Sequence, residues 1–81
     1  MTVKIILPKS GMGIEEGTVA RWLKQVGDRV RQGEAVVEVE TAKALQEVHA
    51  PVGGRLVKIS LAVGESAAVN TELGVIEEDP A

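Results

Sequence analysis

One lysine in this chain is a candidate nucleophilic amine. Lys43 lies between Ala42 and Ala44, in a short connection between two runs of alternating apolar and charged residues. The ε-amine of lysine sits on a flexible stem and is a common target of modifying enzymes. Because the small neighbours leave room for such an enzyme, the segment indicates a modification site, although an ordinary solvated lysine in a turn fits the same residues.

Other reactive groups are sparse. His49, the single histidine, falls in a predicted strand, where an exposed strand residue is far more common than a catalytic base. The chain has no cysteine, its serines lack the context of a nucleophile elbow, and no cluster of His, Asp and Glu has metal-site spacing. The spacing of Gly11, Gly13 and Gly17 does not match the G-x-G-x-x-G pattern of phosphate-binding loops. The sequence therefore predicts that the domain itself catalyses no reaction.

Composition sets further limits on the fold and the partners. The 81 residues suffice for one small domain, and thirteen valines against a single aromatic residue, Trp22, favour β-structure. A formal net charge of −3 argues against nucleic-acid binding. No apolar run reaches the length of a membrane span, and no signal-peptide pattern opens the sequence. We therefore expect a cytoplasmic domain that is monomeric in isolation, with Trp22 as a packing residue.

The candidate lysine is flanked by two predicted strands. Valines alternate with charged residues over residues 37–40 and again around Val48, which is the period of half-buried strands. A connection this short between two strands predicts an antiparallel hairpin. The connection contains no Gly, Asn or Pro, so we expect a type I turn centred on Ala42 and Lys43, because that turn needs no positive φ.

The sequence repeats itself with an offset of 37 positions. Under that shift residues 26–28 fall on residues 63–65, both reading Val-Gly and an acidic residue, and Gly17 falls on Gly54. Further matches pair Val19 with Leu56, Trp22 with Ile59, Val36 with Leu73 and Val39 with Ile76. Internal repetition carries more weight than local propensity. The two halves are therefore expected to share one structure, related by a pseudo-two-fold axis.

This repeat decides between two interpretations of residues 18–26. Apolar residues at positions 19, 22, 23 and 26 have the spacing of an amphipathic helix. In the second copy, positions 57, 59, 61 and 63 alternate as in a strand. We therefore predict a strand over residues 18–24, with a β-bulge that shifts its phase.

The predicted strands are short and separated by turn signals, about four to each half. Turns are expected at Gly27-Asp28, Gly33-Glu34, Gly53-Gly54, Gly64-Glu65 and Asn70-Thr71. Eight such strands predict an all-β sandwich or flattened barrel, opening with a strand over residues 3–7 and a loop over residues 9–17. The pseudo-symmetry sets the Lys43 hairpin opposite the chain ends. We expect residues 1–78 to form the domain and residues 79–81 to begin a linker or tail.

Residues 40–44, Glu-Thr-Ala-Lys-Ala, resemble the lipoyl-attachment motif Glu-Thr-Asp-Lys-Ala of 2-oxo acid dehydrogenase acyltransferases. The resemblance to these lipoyl domains covers nearly the whole chain, from Val3 to Glu77. It continues through residues 7–18, Trp22 and residues 26–30, 33–34, 50–54 and 63–65. The motif's lysine maps directly onto Lys43. One departure is Ala42, where the family usually has aspartate, and it bears on recognition by the partner that meets that carboxylate or on the turn geometry that the carboxylate supports.

The resemblance implies a fold and a cofactor. The fold is a barrel-sandwich hybrid of two four-stranded antiparallel sheets with quasi-two-fold symmetry. The cofactor is lipoic acid, which a lipoate ligase or lipoyl transferase joins to Lys43 as an amide. Partner recognition is implied for residues around the lysine and for a loop that lies near it in the family. These residues are Glu40, Thr41, Ala42 and Ala44 in the motif, and Ser10, Gly11, Met12, Gly13 and Ile14 in the loop.

The resemblance also implies the partners of a multienzyme complex. A thiamine diphosphate-dependent dehydrogenase reductively acylates the dithiolane. The acyltransferase core passes the acyl group on, usually to coenzyme A, and dihydrolipoamide dehydrogenase reoxidises the dithiol. The domain would be a non-catalytic carrier, a swinging arm on Lys43 within a dihydrolipoamide acyltransferase chain. Its substrate could be pyruvate, a branched-chain 2-oxo acid or an acetoin-type compound, and the sequence does not decide among them.

Two alternative functions stay open at this point. A biotinyl carrier shares the fold and the hairpin lysine, but biotin sites typically have methionine on both sides of the lysine, where this chain has alanines. An unmodified adaptor would use the same sandwich without needing the lysine. Glu34, Glu38, Glu40 and Glu47 are expected on the solvent face of the two strands, with charge-steered docking of a partner as their alternative role.

Overall fold

The computed structural model describes residues 1–8 and 15–79, and these form eight β-strands. The strands are β1 (Thr2–Ile6), β2 (Glu16–Trp22), β3 (Arg29–Val30), β4 (Ala35–Glu40), β5 (Leu45–His49), β6 (Gly54–Ile59), β7 (Ser66–Ala68) and β8 (Glu72–Glu78). They make two four-stranded antiparallel sheets, with strand orders β1-β8-β6-β3 and β5-β4-β2-β7. The predicted sandwich is confirmed, and over the described residues the sheets do not close into a barrel. That part of the chain contains no helix long and apolar enough to cross a membrane.

Aliphatic side chains from both sheets fill the interior. Val36, Val37 and Val39 of β4 and Leu73 and Ile76 of β8 are at most 1% exposed. The rest of the core consists of Ile5, Leu7, Val19, Val30, Val48, Ala50 and Leu56. Full burial of one such side chain stabilises a fold by roughly 1.5–3 kcal/mol. Since no polar side chain is buried among the described residues, aliphatic packing holds the sheets together.

The sequence repeat appears directly in the topology. Strands β2, β3 and β4 correspond to β6, β7 and β8 after a shift of 37 residues, and β5 takes the place of β1. The β2–β4 register shifts between Val19 and Arg21, and the β6–β8 register shifts between Leu56 and Lys58, again 37 residues apart. The predicted strand with a bulge is therefore confirmed, although it ends at Trp22, and the bulge recurs in the second half.

The turns between these strands repeat in the same way. Gly27 and Gly64 have φ of 99° and 90°, and the next pair, Gly33 and Asn70, has φ of 86° and 70°. Asparagine is one of the few residues other than glycine that adopts this left-handed region readily. The turns lie at the predicted positions, with one exception. Gly54 is the first residue of β6 and not part of a turn.

Two predicted boundaries also differ from the structure. β1 begins and ends one residue earlier than expected. Glu16 and Gly17 belong to β2 and not to a loop, because they pair with Ala68 and Ala67 of β7. The remainder of that predicted loop, over residues 9–14, lies outside the described residues. The domain limit at residue 78 stays a prediction.

Candidate functional site

Lys43 lies at the tip of the hairpin between β4 and β5. In this hairpin Val39 pairs with Gln46 and Glu40 with Leu45, so residues 41–44 form the connection. Val39 is fully buried under the tip, and this fixes the strands from the core side. The predicted antiparallel hairpin is confirmed.

The side chain of Thr41 closes the connection. Its hydroxyl donates to the Ala44 carbonyl at 3.0 Å and accepts the N–H groups of Lys43 at 3.4 Å and Ala44 at 3.3 Å. The Thr41 N–H donates to the same Ala44 carbonyl at 2.9 Å. Neither Ala42 nor Lys43 has a positive φ, as predicted. The prediction did not include the threonine hydroxyl, because nothing in its spacing shows that it turns inward.

The Lys43 side chain is exposed, and so are those of Ala42 and Ala44. Within residues 1–8 and 15–79, no carboxylate lies within 4.0 Å of the Lys43 ammonium. Three other lysines do have such partners: Lys24 with Glu34, and Lys4 and Lys58 with Glu72. An exposed amine with no fixed counter-ion loses no ion pair on acylation. The site therefore suits covalent modification.

The four glutamates predicted as an acidic face fall into two groups. Glu38 is bound to Arg21 at 3.2 Å, and Glu34 is bound to Lys24 at 2.9 Å at the other end of β4. The N–H of Arg31 and the Lys24 side chain hold the pKa of Glu34 below its ordinary value. Only Glu40 and Glu47 are exposed carboxylates on the hairpin itself. Of the four glutamates expected on the solvent face of the two strands, these two are therefore the exposed ones.

Two further acidic residues lie beside the hairpin, and sequence reasoning missed them. Thr18 of β2 pairs with Glu40, so Glu15 and Glu16 line an open groove together with Thr41 and Ala42. Gly17 permits this approach, because a Cβ there would lie 2.5 Å from Cγ1 of Val39. The sequence repeat that matches Gly17 with Gly54 was the available signal for this close approach. It did not indicate which residues of β2 and β4 pair with each other.

Two residues singled out from the sequence have ordinary roles. Trp22 is half-buried, and its indole N–H donates to the Leu61 carbonyl at 2.8 Å, which confirms it as a packing residue. His49 is the exposed last residue of β5, as expected. The predicted recognition loop, Ser10 to Ile14, lies outside the described residues.

The hairpin and the chain ends lie at opposite ends of the domain. An antiparallel series of contacts joins residues 16–30, which include β2 and β3, to residues 54–68, which include β6 and β7. Its contacts are Glu16 with Ala68, Thr18 with Ser66, Trp22 with Leu61, Gly27 with Leu56, and Val30 with Gly54. The hairpin joins one end, where Thr18 pairs with Glu40, and the chain ends join the other, where Gly54 pairs with Glu78. The length of this series of contacts separates the hairpin from the chain ends, which confirms that they lie at opposite ends of the domain. The longest extent of the domain is 38 Å.

Comparison with known proteins places this chain in a family. The Biotin_lipoyl family model, described as biotin-requiring enzyme, matches residues 3–76. The chain belongs to this family. Among solved structures it resembles the lipoyl domain of the 2-oxoglutarate dehydrogenase complex from Azotobacter vinelandii. The TM-score is 0.72 at 31% identity, and the match covers 94% of this chain and 99% of that one.

Curated relatives favour the lipoyl carrier over the biotinyl carrier within the family. The dihydrolipoyllysine-residue succinyltransferase component of the 2-oxoglutarate dehydrogenase complex of Rickettsia conorii is 46% identical over 78 residues, which is 96% of this chain and 20% of the relative. The dihydrolipoyllysine-residue acetyltransferase component of the acetoin cleaving system of Bacillus subtilis is 37% identical, over 90% of this chain and 18% of the relative. The chain thus spans about one fifth of these relatives. It is a lipoyl domain that resembles those of acyltransferase components, and the biotinyl alternative has less support.

Proposed function

We propose that this lipoyl domain carries lipoic acid on Lys43 and moves it between the active sites of a 2-oxo acid dehydrogenase complex. The observation that supports this most is the exposed Lys43 at the tip of a hairpin held from below by buried valines. A covalent group at this tip projects into solvent, where other enzymes can reach it. The fit is chemical as well, because an uncrowded primary amine is the acceptor that amide formation needs.

Attachment would be an acyl transfer to the Lys43 amine. In its unprotonated form the Lys43 nitrogen would be the nucleophile, and it would attack the carboxyl carbon of lipoic acid that the ligase has activated with a nucleoside triphosphate. A C–N amide bond would form, the bond between that carbon and its activating group would break, and the nitrogen would release a proton. Small side chains at Ala42 and Ala44 leave the approach to the nitrogen open.

The domain would add placement and no bond chemistry of its own. When bound, lipoic acid supplies a dithiolane that accepts electrons and acyl groups, and this chain's part is to hold it. Because the hairpin and the chain ends lie at opposite ends of the domain, a tether at the chain ends leaves the tip free. Tethering raises the local concentration of the arm, to the order of millimolar for short flexible linkers.

The relatives support a proposal for the parent protein and the partners. We propose that the domain belongs to a dihydrolipoamide acyltransferase chain with residues 79–81 opening its linker, and that it works with a thiamine diphosphate-dependent dehydrogenase and dihydrolipoamide dehydrogenase. The relatives named above belong to 2-oxoglutarate and acetoin systems. We therefore propose a class of substrates, 2-oxo acids and acetoin-type compounds, and not a single substrate. We further propose recognition by these partners through Glu40, Thr41, Ala42, Ala44 and the loop Ser10, Gly11, Met12, Gly13 and Ile14, and a cytoplasmic, monomeric isolated domain.

Coexpression with both carrier ligases tests this proposal. The domain is expressed with lipoate ligase and biotin ligase, each cofactor being supplied, and its intact mass is measured. We expect the mass increase of one lipoyl group, and subsequent incubation with a 2-oxo acid dehydrogenase and its substrate should add one acyl group. Biotin as the sole addition would favour the biotinyl alternative, and no addition at all would favour the unmodified adaptor.

A further inference from the structure

The hydroxyl of Thr41 is the polar side-chain group that holds the backbone around Lys43. It uses its full capacity of one donor and two acceptor positions, on the Ala44 carbonyl and on the N–H groups of Lys43 and Ala44. The neighbouring side chains, Ala42 and Ala44, have no polar atoms. Among the described residues no other side chain bonds to the backbone of residues 41–44. Together with the backbone bond from the Thr41 N–H to the Ala44 carbonyl, this one side-chain group therefore holds the lysine's own peptide.

Other turns of the domain are held in a different way. Asp28, Glu34 and Glu65 each use a carboxylate oxygen to accept a backbone N–H three residues earlier, at 2.6–2.9 Å. Among the turns that the structure describes, only the Lys43 turn uses a neutral hydroxyl, and it acts from the first residue of the turn. A carboxylate in the same place would stand two residues from Lys43 and would attract its ammonium. The hydroxyl fixes the turn without offering such a counter-ion.

We propose that Thr41 is a positioning residue for lipoylation, which keeps the Lys43 peptide in one conformation while leaving its amine unpaired. This inference rests on the proposed function. It assigns Thr41 an action through the turn backbone and not through direct contact with the ligase. Holding the acceptor in one geometry lowers the entropic cost of reaching the transition state. The role matters more in this chain because Ala42 stands where the family usually has an aspartate.

The test compares three variants of the domain in lipoylation by lipoate ligase. Thr41→Ser keeps the hydroxyl, whereas Thr41→Val keeps the shape of the side chain and removes the hydroxyl. Thr18→Val removes a different hydroxyl hydrogen bond in the same sheet, the one between Thr18 and Ser66 at 2.6 Å. We expect kcat/KM to fall about tenfold in Thr41→Val, since two or three hydrogen bonds are lost. It should stay within about twofold of the parent in Thr41→Ser and Thr18→Val. Hydrogen exchange at the Lys43 and Ala44 amides should speed up only in Thr41→Val.

Each other outcome overturns the inference in a distinct way. Full activity of Thr41→Val despite faster amide exchange would mean that the turn conformation does not matter. Slow lipoylation of Thr41→Ser would point to direct contact with the threonine methyl group, and slow lipoylation of Thr18→Val would point to general loosening of the sheet. A parent domain that is not lipoylated would instead refute the proposed function itself.

Discussion

The Lys43 hairpin and the two chain ends occupy equivalent positions in the two halves of the domain, yet they are built differently. At the hairpin, four residues join β4 to β5 and the Thr41 hydroxyl holds them. At the equivalent place β8 and β1 are separate chain ends that pair side by side. The Glu78 N–H donates to the Met1 carbonyl at 2.8 Å, and the N-terminal ammonium lies 3.6 Å from Glu77. The same sheet framework supports an exposed loop at one end of the domain. At the other end it supports two paired chain ends, here called the anchored exit.

The difference is concentrated in a few side chains. Ala42 and Asp79 are equivalent under the shift of 37 residues, and Asp79 is held by Arg29 at 2.6 Å. The counterpart of Arg29 on the hairpin side is Ser66, which offers no charge. Charge pairs therefore hold the two chain ends. Among the described residues no such pair is present at the hairpin tip, and Lys43 has no fixed partner there. The two halves of the domain thus have equivalent sheets, and the proposed function depends on the loop between β4 and β5.

The largest expected effect tests how tightly the two halves are packed at their equivalent glycines. A Cβ at Gly54 would lie 2.0 Å from the Glu77 carbonyl oxygen, which belongs to the backbone of β8. At Gly17 the nearest atom is a side-chain methyl carbon of Val39, at 2.5 Å. We expect Gly54→Ala to lower the free energy of unfolding by about 3–5 kcal/mol. Gly17→Ala should cost less, about 1–3 kcal/mol, because a side chain moves more easily than a strand. Urea denaturation of both variants checks this, and equal or reversed losses would contradict the assigned contacts.

The second prediction restores the family's aspartate at the hairpin. In the lipoylated domain Lys43 would be an uncharged amide, and Ser66 stands where the other half has the arginine that binds Asp79, so the new carboxylate in Ala42→Asp should stay free for a partner. We expect the rate of reductive acylation of the lipoylated variant to rise several-fold. The urea midpoint should change little, since the position is exposed. Ala44→Asp, on the other side of the lysine, is the matched control for added charge. Identical rates for parent and Ala42→Asp across several 2-oxo acid dehydrogenases would remove this explanation.

The third prediction concerns acid stability, to which β8 contributes through a carboxylate at a position where β4 has an alanine. A hydrogen bond from Ser60 and the charges of Lys58 and Lys4 hold the pKa of Glu72 below its ordinary value, and the counterpart of Glu72 is Ala35. With a lowered folded-state pKa, the unfolded chain binds the proton first. Stability is then full above the ordinary value of 4.5 and is lost as the pH falls through the folded-state pKa. We expect Ser60→Ala and Glu72→Gln to lose less Tm than the parent between neutral and acid pH. Parallel Tm curves for all three proteins would show that this carboxylate contributes nothing to acid sensitivity.

The smallest expected effect is at the anchored exit. Arg29→Ala removes the ion pair with Asp79, whose side chains are 64% and 45% exposed. We expect a loss of no more than about 1 kcal/mol, because exposed pairs are well screened. High salt should weaken the parent towards the variant and leave the variant unchanged. A loss several times larger would mean that the exit is part of the folding core.

Much of the fold could be predicted from the sequence, because its signals are periodic. The valine alternation in β4, the repeated Val-Gly-acid turns and the 37-residue offset lead to two equivalent sheets. The offset also corrected the helical spacing at residues 18–26, since that spacing arises from a bulge between Val19 and Arg21. The start of β2 was missed because Glu16 and Gly17 carry turn-like composition and only their pairing with β7 makes them a strand.

The candidate site was predictable to a smaller extent. Lys43 could be found from its small neighbours and from the motif around it. The role of Thr41 could not, since it depends on the direction of a hydroxyl within a turn. Nor could the approach of Glu15 and Glu16 to the hairpin, which depends on the strand register that brings Thr18 opposite Glu40. These features are set by tertiary geometry, which a single sequence does not contain.

The most direct test of the account is to map where the lipoyl group is attached. The lipoylated domain is digested and its peptides are identified by fragment-ion mass spectrometry, with Lys43→Arg and Lys24→Arg as matched variants. Lys24 is a suitable control because its ammonium is bound to Glu34 at 2.9 Å, whereas Lys43 has no such partner among the described residues. We predict one lipoyl group, on Lys43 alone, in the parent and in Lys24→Arg, and none in Lys43→Arg. A lipoyl group on another lysine, or one retained in Lys43→Arg, would contradict the account.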